Sequence, residues 1–93
     1  MRKTDNYENV WDAIADTPGQ KANLRIRAGL MRKIAAIVKE SGWTQTEAAK
    51  CCGVTQPRMN DLLRGRVSRF SLDALVNIAT ATGRQVHLEL ESE

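Results

Sequence analysis

The stretch TQTEAAKCCGVTQPRMNDLLR, residues 44–64, constrains the fold more than any other. Thr44 and Glu47 have the T-x-x-E spacing of a capping box, which opens a helix. Gly53 closes that helix after barely two turns, because the turn there needs positive φ. Thr55 can then cap a second short helix, in which Pro57 costs little because first-turn N–H groups are unpaired anyway. Gly65 stops it. Ala48, Cys52, Val54, Met59 and Leu62 are the apolar positions through which two such helices would pack, with Ala49 small where they cross. Met59, Leu62 and Leu63 are expected on the packed side of the second helix.

The adjacent thiols in this stretch raise a chemical alternative. Two cysteines are too few for a disulfide scaffold, and a vicinal pair lacks the C-x-x-C spacing of a zinc site. The single histidine, His87, lies 35 residues beyond Cys52. Cys52 therefore reads as a small core hydrophobe and Cys51 as a surface neighbour. With no convergent acid–base pair either, the expectation is no metal, no cofactor, no catalytic residue and no enzyme activity.

Around this centre the pattern is helical. Tyr7, Val10, Trp11 and Ile14 fall at i, i+3, i+4, i+7. Thr17, Pro18 and Gln20 then carry a fresh start signal. A long helical stretch follows to about Ser41, with Ile26, Leu30, Ile34, Ile37 and Val38 along one side. Asn23 offers an alternative cap, so a break near residues 22–24 stays open. Gly29 costs this stretch roughly 1 kcal/mol against alanine. SLDALVNIATATG forms a last helix between Ser71 and Gly83, with Leu72, Leu75, Val76 and Ala79 on one face. After it the period changes to two: Val86, Leu88 and Leu90 alternate with His87, Glu89 and Glu91, as in a half-buried strand. The predicted fold is all-α, five helices with a short N-terminal helix and one C-terminal β-strand. It divides into an arm (1–16), a helical domain (17–83) and a strand with tail (84–93). At 93 residues the core is modest, and oligomerisation is expected to add stability. No run of 18 apolar residues spans a membrane, and the first residues lack an apolar signal core, so a cytoplasmic location is expected.

The net charge of +3 hides an uneven distribution. Residues 1–20 hold two basic and four acidic side chains, residues 21–70 eleven and three, and residues 71–93 one and four. The middle is thus +8 between ends of −2 and −3, which suits a polyanion; the plain alternative is a set of solvated helix faces.

Two short capped helices on either side of a glycine turn have the shape of a helix-turn-helix. The segment TQTEAAKCCGVTQPRMNDLLRGRVSRFSLDALVNIA resembles the Xre or phage-repressor family of helix-turn-helix domains. Together with NVWDAIADTP ahead of the long helix, it is similar to the HigA-type antitoxins. In phage-repressor-like domains the glutamine opening the first helix touches phosphate and the one opening the second reads a base. Gln45 and Gln56 match those positions. Pro57 departs from the family, which often has a second polar reader there. From the residues alone, Gln56, Asn60, Asp61 and Arg64 can reach base edges, because amides suit adenine, Arg suits guanine and Asp can accept from cytosine. Pro57 offers an apolar surface, with Arg58 beside it. Arg64, Arg66 and Arg69 could clamp the backbone together with the exposed N-terminus of the second helix, and Thr44 and Thr55 belong to the same DNA-facing set.

The ends suggest partners. A lone strand needs another edge, and a second copy pairing through Val86, Leu88 and Leu90 would give a two-fold dimer suited to a palindromic duplex operator. A strand of another protein, or a hairpin from the N-terminus, is the rival edge. Tyr7, Val10, Trp11 and Ile14 either staple onto the domain's own helices or anchor a protein partner. The HigA resemblance implies a RelE/HigB-like messenger-RNA-cleaving toxin as that partner, autoregulation of the operon, and association with the nucleoid when bound to DNA. A solitary phage-like regulator and a protein-interaction module on the same scaffold are the competing readings.

Overall fold

The structure is a computed structural model that describes residues 17–92. Four α-helices and one turn of 3-10 helix follow in order: α1 Pro18–Ser41, α2 Gln45–Cys52, α3 Gln56–Leu63, the 3-10 turn Val67–Arg69 and α4 Leu72–Ala81. The short helix expected around Tyr7, Val10, Trp11 and Ile14 lies outside the described residues, so the described part holds four of the five helices expected.

α1 runs unbroken for 24 residues. Its start is fixed by Thr17, whose hydroxyl accepts from the Gln20 amide at 3.1 Å, and by Pro18 in the first turn. Asn23 does not cap a new helix. Its Oδ1 instead accepts from Nε of Arg27, one turn on, at 2.7 Å. The helix buries Arg27, Met31, Ile34 and Val38, a stripe rotated from the one that the apolar pattern suggested. Ile26 is 45% exposed, and Leu30 and Ile37 are half-buried. α1 thus has a core stripe and, beside it, an apolar stripe facing a groove.

α2 and α3 pack as their spacing requires. Ala48, Ala49 and Cys52 of α2 meet Met59 and Leu62 of α3 in one cluster, with Val54 half-buried against it. Gly53 makes the turn between them at φ 72°, a conformation in which any Cβ is strained. Leu63 departs from expectation: it is 37% exposed. One step past Leu62 turns a side chain by about 100° around the helix. That carries Leu63 out of the core to the rim of a depression it shares with Ala28, Met31, Arg32, Ala35 and Val67. α4 starts at Ser71, whose hydroxyl accepts from the Ala74 amide, and buries Leu75, Ile78 and Ala79 against α1. Leu72 and Val76 stay half-buried on the groove side.

Two core residues carried no periodic signal. Phe70, between the 3-10 turn and α4, is 1% exposed. Arg27 is 6% exposed and joins α1 to that same loop: its Nη1 donates to the Phe70 carbonyl at 2.9 Å and reaches the Val67 carbonyl at 3.5 Å.

The expected C-terminal strand is not formed among the described residues. Residues 84–92 have no regular secondary structure, and no strand exists among the described residues. The reason is the one that makes a lone strand costly, since the described residues offer its backbone groups no edge to pair with. Val86 packs against the core, whereas Leu88 is 69% exposed and Leu90 fully so.

Candidate nucleic-acid interface

The first turns of α2 and α3 are brought together by their own glutamines. Nε2 of Gln45 donates to the backbone carbonyl of Gln56 at 3.2 Å, so the two residues singled out by the family resemblance touch across the motif. Each helix start is also locked. Thr44 Oγ1 accepts from the Glu47 amide at 3.1 Å while the Glu47 carboxylate accepts from the Thr44 amide at 2.8 Å. Thr55 Oγ1 accepts from the Arg58 amide at 3.3 Å. Thr44 and Thr55 therefore serve first as caps, and each keeps its hydroxyl proton for an incoming acceptor.

The side chains of α3 sort into an open set and a tethered set. Gln56, Pro57 and Arg64 are exposed, and Asn60 is half-buried beside them. Arg58 is tethered: its guanidinium lies 4.3 Å from the centroid of the Phe70 ring and donates to the Arg69 carbonyl at 3.1 Å. Asp61, placed with the base readers by its position on the helix, is half-buried under two arginines. Nη1 of Arg66 lies 3.1 Å from its Oδ1, and Nη1 of Arg69 lies 3.2 Å from both oxygens. Asp61 is thus committed to guanidinium groups in the free chain.

This arrangement gathers Arg66 and Arg69 around the Asp61 carboxylate, with Arg58 beside Phe70 and the Arg69 carbonyl and Arg64 exposed at the C-terminal end of α3. Two guanidinium groups against one carboxylate leave this cluster positive, and the side chains of Arg66 and Arg69 remain 40% and 55% exposed. Ion pairs this exposed are worth about 0–1 kcal/mol, so a phosphate can compete for either arginine without a large penalty. The carboxylate orients the arginines and limits their spread.

Not all of the basic middle segment is available to a polyanion. Arg27 is buried and spends its donors on α1 and the loop before α4. The Asn23–Arg27 spacing, four residues apart on one helix, was the one sequence signal for this role. The cysteines sit as their chemistry suggested, with Cys51 exposed and Cys52 buried. Burial, reinforced by the neighbouring Cys51, pushes the Cys52 thiol above its ordinary value and disfavours the thiolate that metal binding or nucleophilic attack needs. Among the described residues, no three His, Cys, Asp or Glu side chains come together as a metal site, and no helix is long and apolar enough to cross a membrane.

A sequence profile described as a helix-turn-helix domain matches residues 13–91, most of the chain. The chain belongs to that helix-turn-helix family. The match takes in α1 through α4 together with most of the C-terminal segment, so the family's shared unit is larger than the two-helix motif. No curated protein matches the chain significantly. Within this helix-turn-helix domain, α2 is the first helix of the motif and α3 the second, the one whose outer face such domains present to a major groove.

Proposed function

We propose that the chain is a sequence-specific transcriptional repressor that binds duplex DNA as a two-fold homodimer, with α3 in the major groove. The observation that carries this is the division of labour along α3. Exposed Gln56 and Pro57 lie at its start, beside Gln45, and the carboxylate-held arginine cluster lies at its end. An α-helix with its side chains is about 10–12 Å across, which a major groove about 12 Å wide admits. Gln56 and Asn60 read base edges, and Pro57 rests against an apolar edge such as a thymine methyl. Gln45 and the hydroxyls of Thr44 and Thr55 lie at the phosphates beside the two helix starts. Arg64, Arg66 and Arg69 hold the backbone farther along. Arg58 acts through its stack on Phe70, keeping the 3-10 turn and its Arg69 in position.

The finer role proposed is that of an antitoxin, repressing its own operon and neutralising a RelE/HigB-like toxin. Its support is the likeness of NVWDAIADTP and the motif that follows to HigA-type antitoxins. A neighbouring gene for a small basic RelE-like protein, and co-purification of the two products, test it. Without them the solitary regulator becomes the better account.

The test of DNA reading is selection of bound duplexes from a random pool by the purified chain at moderate salt. A palindrome with half-sites about one helical turn apart is expected. Weak, salt-labile binding with no enriched sequence would remove the repressor reading and leave a protein-interaction scaffold.

A further inference from the structure

An apolar groove of about 630 Å³ runs between α1, α4 and the C-terminal segment, on the face of α1 next to its core stripe. Ile26, Leu30 and Ile37 line one side, Leu72 and Val76 the other, and Val86 lies at the C-terminal edge. Beyond Val86 the chain carries Leu88 and Leu90 into solvent, with the backbone of residues 84–92 in no regular structure. Among the described residues, the apolar groove and the adjacent unpaired segment of alternating pattern form one continuous open surface.

We infer that a second copy of this chain covers it, the two C-terminal segments pairing antiparallel about a two-fold axis through Leu88 and closing over both grooves. This rests on the homodimer in the proposed function and specifies its seam. The register follows from self-complementarity. Directly opposed residues in an antiparallel pair share a face, so the apolar face survives only if residues of like parity oppose each other. Centring on Leu88 sets Leu88 against itself and Val86 against Leu90. On the polar face it sets His87 against Glu89 and Gln85 against Glu91. Centring on Glu89 would oppose that carboxylate to its own copy, and centring on His87 would put Arg84 opposite Leu90. The Leu88 register alone of these three keeps every apolar side chain against another and every carboxylate against a hydrogen-bond donor.

The register can be read by cysteine cross-linking of the full chain in a Cys51→Ser background, Cys52 being buried. Directly opposed Cα atoms at about 4.5–5.5 Å fall within disulfide range. Under mild oxidation Leu88→Cys should cross-link between copies almost completely, whereas Val86→Cys and Leu90→Cys should each do so weakly and only the double variant efficiently. Sedimentation gives a second readout free of cysteine chemistry. His87→Glu should weaken the dimer roughly tenfold through two like-charge pairs, and adding Glu89→Lys should restore it. A cross-linking maximum at residue 86 or 90, or a dimer indifferent to His87→Glu, would overturn the register. A wild-type chain monomeric at about 100 µM, roughly the protein concentration of the cross-linking, would overturn the interface. In that case, loss of hydrogen-exchange protection in α1 on deleting residues 1–16 would identify the chain's own N-terminal arm as the occupant of the groove. The outcome separates from the DNA reading. A monomer that still selects a half-site leaves recognition by α3 standing, and a dimer with no DNA preference leaves the seam standing without it.

Discussion

Replacing Arg27 with methionine tests whether a basic residue in the positive middle of the chain serves the fold or the DNA. Its guanidinium donates to the Phe70 carbonyl at 2.9 Å and to Asn23 at 2.7 Å, at a site only 6% exposed. The 3.5 Å approach to Val67 is at the edge of hydrogen bonding and adds little. Arg27→Met leaves the Phe70 carbonyl without this donor, a loss of about 1–3 kcal/mol for a buried acceptor. Asn23 is half-buried and can turn to water, so its share is small. Methionine keeps much of the apolar stem, and the cost of burying a charge disappears, which offsets part of the loss. The net expectation is about 2 kcal/mol, or a Tm lower by about 8–16 °C in a domain of this size. Urea unfolding followed by far-ultraviolet circular dichroism at one fixed protein concentration measures it. DNA affinity, taken well below the midpoint, should keep the wild-type salt slope. A variant within about 0.5 kcal/mol of wild type, or one of unchanged stability with weakened DNA binding, would refute the structural role.

Gln56→Ala should relax preference at one base step by about 1–3 kcal/mol, whereas Arg66→Ala should weaken all sequences alike and flatten the salt slope; equal losses on every sequence from both would contradict the assignment of reader and clamp. Asp61→Asn removes the negative charge that two arginines share, so binding to non-specific duplex should tighten with its base preferences unchanged. Loss of a cytosine preference would instead make Asp61 a reader. Iodoacetamide should modify Cys51 in the native chain and spare Cys52. Because burial raises the Cys52 pKa, the native state keeps a proton that the unfolded chain releases. Its contribution to stability should therefore be complete well below pH 9.0, its ordinary pKa, and shrink as pH rises through and above it. Cys52→Ala should abolish that decline.

Where the local rules were strong, the chain could be read directly. Thr17, Thr44, Thr55 and Ser71 all cap the helices they announce, because a hydroxyl accepting from an amide three residues on is a contact within one turn. The buried set at the α2–α3 crossing was likewise legible from spacing, as was the surface position of Cys51. The candidate interface was legible as a list of residues on one face of α3. What each side chain does there was not, since Asp61 meets Arg66 only after the chain turns at Gly65, and Arg69 only at the end of the 3-10 turn.

The sequence by itself determined the helices, their caps, the glycine turn and the sign of the charge near α3, since all of these depend on residues a few positions apart. Tertiary structure decided which stripe of α1 faces the core, which arginines are free, and whether an alternating segment becomes a strand. Those outcomes depend on groups brought from far along the chain. Arg27 lies 43 residues from the carbonyl it serves. Its charge counts toward the basic total in the sequence, but the Phe70 carbonyl lies within its reach only in the fold. Residues 84–92 show the converse, because their period of two describes a strand for which the described residues offer no second edge.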